Sequence, residues 1–416
     1  MVGTMTATLG ENVRRYRRRA GYSQEQLAEA AELSLGTIRK VEQGGTLRME
    51  SLHAIARALG VRTSALLAAD APEPVRSDDP NRLHLIELRK ALTPPVGLSA
   101  RLPEPGEEPS LPALRRTVLD GAKLYHADRY QSVALLLPDL LRGTDRAVEY
   151  YAEGEERASA LVTRAEAYQV AGRFLTQTRH YDLAYQALAG AIADARAAED
   201  TLSAASGVVG LCWLLLRQGR LDDAETLAMT TAEAIEPKMS TATPEQLAVW
   251  GWLALRGAAG AVRNNRPREA QAHLRMATAA AAAVGVERTD YHRHGITFGP
   301  VTVAMKSVED AMISGDSRTA LRRAEEGPLS AKGRRKAGQP SGDNWNRHRL
   351  DVGYAYVNLG DHQSGMDELK QVRAVSPEWL RHQAMARDVM RGILHKRKRT
   401  LTADMREMAT YLDVAG

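Results

Sequence analysis

Four arginines and a short run of hydroxyl and basic residues are the side chains of this sequence best placed to do chemistry. Arg14, Arg15, Arg18 and Arg19 crowd one stretch, and Ser34, Thr37, Arg39 and Lys40 follow in another. Guanidinium, ammonium and hydroxyl donors at such spacing make charge-assisted hydrogen bonds to phosphate oxygens and reach base edges. That is binding chemistry. No phosphate-cradling glycine loop, nucleophile elbow or zinc signature occurs in the chain. The expectation is a protein that is not an enzyme and that carries no cofactor and no metal.

The elements that must position these residues are short helices. Ser23 reads as an N-cap with Gln26 three residues on, the spacing of a capping box. Leu27, Ala28 and Ala31 follow at helical spacing. Ser34 reads as a second N-cap, for a helix with Ile38 and Val41 on one face and Arg39 and Lys40 off it, and Gly44-Gly45 ends that helix. Two such helices joined by a tight turn are the sequence form of a helix-turn-helix. Residues 9–20 read as a preceding helix with Leu9, Val13 and Tyr16 on its apolar face. Its arginines then form a phosphate-facing surface or, as the plainer alternative, a solvated helix face. Met49, Leu52, Ile55, Ala56 and Leu59 repeat at helical spacing up to Gly60, and residues 63–68 make a fifth short helix.

The pattern from Leu9 to Leu67 resembles the Cro/repressor-type, or xenobiotic-response-element, family of helix-turn-helix domains. The resemblance is carried by Leu9-Gly-Glu-Asn-Val-Arg-Arg, Gly21-Tyr-Ser-Gln-Glu-Gln-Leu-Ala, Ile38-Arg-Lys-Val-Glu-Gln-Gly and Ala56-Arg-Ala-Leu-Gly-Val. It implies double-stranded DNA as a partner. Gln24 would touch phosphate or a base edge, Ser34, Leu35, Gly36, Thr37 and Lys40 would face the major groove, and Arg48 would meet backbone phosphate. Arg17 would pair with Glu42 inside the domain. Arg14, Arg15, Arg18 and Arg39 complete the candidate DNA-binding set. One departure matters: Gly36 stands where the family usually has a polar base-reading side chain, and Leu35 beside it offers only apolar contact, for instance to a thymine methyl. Lys40, then Thr37, are left as the base readers, with much of the affinity expected from phosphates and DNA shape.

The rest of the chain is too long to be a mere appendage. Its 416 residues suit two or more domains, and 26% charged with 44% hydrophobic residues is the balance of an ordinary folded protein. Only 5% are aromatic, which favours helices over sheets. A net charge of +5 is too modest to argue for nucleic acid by itself. One cysteine, Cys212, excludes an internal disulfide framework and fits a reducing cytoplasm. No apolar run is long enough to span a membrane, and the first residues lack a secretory pattern. No membrane partner is expected.

The expected fold class is all-α: a five-helix repressor-like DNA-binding head over residues 1–70, a proline-rich linker over 71–112 with one short helix at 83–92, and a helical array beyond. From Leu114 the chain repeats: the clearest copy runs from Gly207 through Gln-Gly-Arg-Leu-Asp-Asp-Ala to Ala228, and similar turns occur in Tyr125-His-Ala-Asp-Arg, Thr178-Arg-His-Tyr-Asp, Asn264-Asn-Arg-Pro, Ser314-Gly-Asp-Ser and Asn358-Leu-Gly-Asp. The units resemble degenerate tetratricopeptide hairpins, about six over 113–380, stacked as a right-handed α-solenoid with capping helices over 381–416. As a whole the chain resembles actinobacterial regulators that join such a head to a tetratricopeptide-like sensor, similar in architecture to Gram-positive peptide-sensing quorum regulators. His348-Arg-Leu-Asp-Val-Gly-Tyr-Ala-Tyr-Val matches that group, as does Phe298-Gly-Pro-Val-Thr-Val, save that Thr302 replaces an expected asparagine.

In such an array the first helix of each hairpin lines the concave face. That placement implies a ligand-binding set of Gln169, Arg173, Trp213, Arg217, Trp252, Arg263, Thr302, Met305, Arg347, Tyr354 and Asn358, with Gln177 and Glu309 beside them. Arginines interleaved with tryptophans suit a peptide or a small acidic ligand. The alternative is that the tryptophans are core and the arginines solvated. His292 and His294 lack further metal ligands at suitable spacing. The basic segment at 332–338 reads as a loop with a possible second DNA contact, and residues 395–399 precede an amphipathic closing helix carrying Leu401, Met405, Met408, Ala409 and Leu412. The function expected is a cytoplasmic homodimeric transcriptional regulator whose helical domain senses a ligand. The alternative is a protein-interaction scaffold with a weakly specific DNA-tethering head.

Overall fold

The computed structural model describes residues 9–45, 47, 49–61, 66, 85–94, 108–289, 296–395 and 401–414. The chain divides into two units, residues 1–82 and 83–416.

The first unit holds α1 (Leu9–Arg19), α2 (Gln24–Ala30), α3 (Leu35–Glu42) and α4 (Met49–Ala58). Ser23 caps α2 in a complete capping box with Gln26, and the Ser34 hydroxyl accepts from the Thr37 amide at the start of α3. Such caps stabilise a helix by about 1 kcal/mol each. Gly21, Gly44 and Gly60 take positive φ where α1, α3 and α4 end. Val13, Tyr16, Leu27, Ile38, Val41, Leu52 and Ile55 form the core. α1 crosses α3 at Gly10, where a Cβ would fall 2.2 Å from the Val41 carbonyl oxygen. Only glycine fits there. The fifth helix expected at 63–68 lies outside the described residues apart from Leu66, which is buried.

The second unit begins with α5 (Leu85–Leu92), whose Leu88 and Ala91 are buried in its largest core cluster. The rest of the proline-rich stretch, 71–84 and 95–107, lies outside the described residues. Six antiparallel helix pairs follow: α6 (Leu111–His126) with α7 (Tyr130–Tyr150), α8 (Gly154–Gln177) with α9 (Tyr181–Ala197), and α10 (Thr201–Arg217) with α11 (Leu221–Ala234). Then come α12 (Pro244–Arg263) with α13 (Pro267–Val284), α14 (Pro300–Ile313) with α15 (Ser317–Glu325), and α17 (Gly342–Asn358) with α18 (His362–Val375). Each pair turns the same way. One residue takes positive φ, namely Asp128, Arg179, Gly219, Asn265, Gly315 and Gly360 in chain order. The next amide then bonds the carbonyl five residues back, as Arg129 does to Leu124 and Arg220 to Leu215. This Schellman closure satisfies the last carbonyls of the first helix and reverses the chain in three residues.

The basic segment after residue 330 is a helix, α16 (Ala331–Ala337), and not the loop expected from its composition. The Ser330 hydroxyl accepts from the Gly333 amide to start it, and Arg334 lies 4.7 Å over the Trp345 ring. Capping and stacking order a stretch whose charge alone reads as solvated. α19 (Pro377–Arg381), α20 (Ala384–His395) and α21 (Ala403–Tyr411) close the unit, burying Trp379, Val389, Met390, Ile393, Met405 and Met408. These share one core cluster with Val118, Tyr125 and Tyr130 of the first pair. The ends of the array therefore meet. Nδ1 of His126 lies 3.0 Å from Oδ1 of Asp343, Asn346 donates to Asp128 at 3.1 Å, and the Gln131 amide donates to Glu378 at 3.1 Å.

Candidate DNA interface and ligand cavity

In the first unit the candidate contacts surround α3. Ser34, Gly36, Arg39 and Lys40 are exposed and Thr37 half-buried, while Leu35 packs partly against the core. The Ser34 and Thr37 hydroxyls lie 2.8 Å apart and share a hydrogen. A Cβ at Gly36 would meet nothing closer than the Ser34 hydroxyl at 3.7 Å, so no packing inside the protein demands glycine. Arg39 reaches Glu25 at 3.5 Å, a pair exposed on both sides and worth little.

Glu42 anchors this surface from beneath. Its buried carboxylate takes Nε of Arg17 at 2.6 Å and Nη2 at 3.1 Å, so the pair implied by the sequence is present and bidentate. The Gln24 amide also donates to Glu42 at 2.8 Å, and Arg14 approaches it at 3.5 Å. Burial opposes this charge, but bonds from Arg17, Gln24 and Arg14 hold the carboxyl below its ordinary range. Gln24 and Arg14 are therefore partly engaged within the domain. Arg15 is exposed with its guanidinium 5.3 Å over the Tyr16 ring, and Arg18 is exposed. Arg48 lies outside the described residues.

In the second unit the first helices of the pairs enclose a cavity of about 370 Å³. It gathers Arg173 and Gln177 from α8, Trp213 and Arg217 from α10, Trp252 and Arg263 from α12, Glu309 from α14 and Arg347 from α17. It adds residues that sequence reasoning missed: Tyr125, His126, Arg256, Lys306, Asp343 and Trp379. Arg256 had a signal, since 252, 256, 259 and 263 share one helix face. His126 and Asp343 had none, because 217 residues separate them.

The walls carry six cations, Arg173, Arg217, Arg256, Arg263, Lys306 and Arg347, against two carboxylates, Glu309 and Asp343. Arg263 and Lys306 each meet Glu309 at 2.7 Å, and Arg347 stands 3.9 Å from Glu309 and 3.7 Å from Asp351. Burial works against the Glu309 charge, yet these cations hold it ionised far below its usual range. Burial likewise opposes the Asp343 charge, and His126, Ser341 and the Asn344 amide together outweigh it and hold its carboxyl below the ordinary value. Arg217 and Arg256 make no ion pair among the described residues, and burial pulls both guanidinium groups down to about 10.

The other five residues of the expected ligand set lie outside the cavity, spent on packing and helix junctions. Gln169 is buried, donating to the Ser203 carbonyl at 3.0 Å and accepting from Ser206 at 2.8 Å. The Thr302 amide and hydroxyl both donate to Glu287, whose carboxylate caps the start of α14. Met305 is core, Tyr354 packs between two core clusters, and Asn358 ties α17 to Ser317 at 3.2 Å. Among the described residues no group of three or more His, Cys, Asp or Glu stands ready for a metal, and His292 and His294 lie outside them. No helix among them is long and apolar enough to cross a membrane.

Residues 13–66 match the helix-turn-helix family, and this stretch is a helix-turn-helix domain of the Cro/repressor type. No curated protein matches the chain. Solved structures similar to it include Bacillus thuringiensis PlcR, in complex with the peptide PapR7 and DNA, at 13% identity over 77% of this chain and 95% of that chain. The TM-score is 0.30, a likeness too loose to fix either fold or function.

Proposed function

We propose that this protein is a DNA-binding transcriptional regulator whose second unit senses a peptide or small acidic ligand. One observation carries the reading: a helix-turn-helix domain presents exposed Ser34, Arg39 and Lys40 at the cap and on the surface of α3, with exposed Arg15 and Arg18 on α1. The protein acts as a homodimer on paired half-sites, because a single small head rarely supplies enough affinity. Ligand in the cavity shifts the heads between arrangements, which requires that it bind one state better than the other. The cytoplasm of an actinobacterium is the setting this reading takes, in keeping with one cysteine, Cys212, buried and pushed up to about 12 by burial.

The scaffold reading is favoured by one observation, that Gln24 and Arg14 are partly spent on Glu42. A genome-wide footprint of the bound protein, with and without culture extract, separates the two. Discrete sites whose occupancy changes with extract are expected of a regulator. Diffuse binding indifferent to extract would sink that reading.

A further inference from the structure

The charge on the cavity wall says what kind of ligand it takes. Arg263, Lys306 and Arg347 share Glu309, and Asp343 is held by His126. Arg173, the sixth cation, donates to Gln169 at 3.3 Å and to Ser206 at 3.5 Å, which leaves Arg217 and Arg256. Arg256 spends Nε on the Val209 carbonyl at 3.2 Å, and its guanidinium stacks 4.8 Å from the Trp252 ring centre and 5.8 Å from that of Trp213. Arg217 stacks 5.6 Å from the same Trp213 ring. Two partly buried guanidinium groups without a carboxylate are a standing cost to the folded protein, since the water they lost is not replaced by a counter-charge. Trp213 itself is half-buried, with Val209, Leu216 and Leu255 beside it on the wall.

We propose that the cavity binds a compact small molecule bearing a carboxylate or phosphate group, held by Arg217 and Arg256, with an apolar ring against Trp213. This rests on the sensing role proposed above and narrows it, setting aside an extended peptide. The oxyanion supplies the missing counter-charge through charge-assisted bonds to fixed guanidinium forks. The volume, about 370 Å³, lies at the small end of the roughly 300–1,000 Å³ typical of small-molecule pockets. Its wall runs on from the first helix pair to the last through the His126–Asp343 contact, where a long peptide would need an open-ended groove.

The test uses the full chain and a fluorescent aromatic anion, 8-anilinonaphthalene-1-sulfonate, beside its neutral analogue N-phenyl-1-naphthylamine. The anion is expected to saturate one site per chain, and Arg217→Met and Arg256→Met should each weaken it at least tenfold while leaving the neutral analogue unchanged. Displacement by 1-naphthoate and by 1-naphthyl phosphate then shows which oxyanion the site prefers. Arg217→Met should melt at or above the wild-type temperature, because it removes an unpaired buried charge. Anion binding untouched by both variants, equal binding of the neutral analogue, or displacement by an acidic heptapeptide at lower concentration than either naphthyl anion would overturn the proposal. Lost binding in an Arg217→Met protein that melts lower would overturn it too, as the mark of a structural role. If culture extract alters the DNA footprint while no naphthyl anion binds, the regulator stands and this ligand class falls. Intact anion binding in a protein with no specific DNA sites would uphold the ligand class and remove the regulator.

Discussion

Arg256 lies between two tryptophans, its guanidinium carbon 4.8 Å from the Trp252 ring centre and 5.8 Å from that of Trp213. The two rings come from α12 and α10, so one side chain joins neighbouring helix pairs at the cavity wall. Trp252 is fixed from behind by its indole N–H, which donates to the Thr297 carbonyl at 2.6 Å. Trp213 has no such tether among the described hydrogen bonds and is the more exposed of the two. Of the two tryptophans lining the cavity, one is anchored and the other leaves more of its ring uncovered.

The proposed reading assigns base contact to Lys40 on α3 and phosphate attraction to Arg15 on α1, and the two are separable by substitution. Lys40→Ala should reduce discrimination between operator and unrelated duplex by about 1–3 kcal/mol. Arg15→Ala should instead weaken binding to every sequence and lower the salt slope by about one. Fluorescence anisotropy titrations over a range of salt read both quantities.

Glu42 is the keystone of the head. Removing its carboxylate leaves Arg17 buried without a partner, so Glu42→Ala should destabilise the first unit by about 3 kcal/mol. Because the folded carboxyl is held below its ordinary value, its contribution is complete above the unfolded pKa of about 4.3 and is lost as pH falls through the lower folded one. Amide exchange across α1 to α3 should therefore accelerate in that acid window in the wild type and far less in Glu42→Gln.

Asp128 behaves in the opposite sense at the seam between first and last helix pairs. Burial first, then the nearby Asp343 charge, raises its carboxyl to about 8. A carboxyl raised on folding stabilises fully below its unfolded pKa of about 4, and that stability is lost as pH rises towards 8. Asp128→Asn keeps an acceptor for the Asn346 amide and removes the titration. At pH 8 it should be more stable than wild type by at least about 1 kcal/mol, and at pH 4 much closer to it. Thermal melts at the two pH values give the comparison.

Gly10 is predicted to tolerate no side chain. A Cβ would stand 2.2 Å from a backbone oxygen of α3, which cannot swing aside. Gly10→Ala should destabilise the first unit by about 1–3 kcal/mol, as overpacking does, despite alanine's better helix propensity. Denaturant unfolding followed by exchange at α1 and α3 provides the measurement.

How much of this is legible in the sequence depends on how local the determinant is. The caps at Ser23 and Ser34 and the glycine stop at Gly44 act within a few residues, and each is plain in the chain. The face of α12 is half visible: Trp252 and Arg263 stand out, and Arg256 lies between them on the same face. On α14 and α17 the expected faces are slightly off. Thr302 and Met305 point to Glu287 and the core, while Lys306 and Glu309 reach the cavity; Tyr354 and Asn358 sit too far along, while Asp343 and Arg347 reach it. Helical period fixes a face only when the direction of the neighbouring helix is known. The His126–Asp343 seam is invisible, because no local pattern announces a contact made when the last helix pair returns to the first. α16 reads as loop because its order comes from Ser330 and Trp345, not from its own charged residues.

The central claim is that the head chooses DNA and the cavity controls that choice. Its most direct test is the affinity of the full chain for a footprinted operator and for a scrambled duplex, each with and without culture extract. The account predicts operator binding at least about a thousandfold tighter than scrambled binding, with extract changing only the operator value. Equal affinity for both duplexes, unaffected by extract, would contradict it.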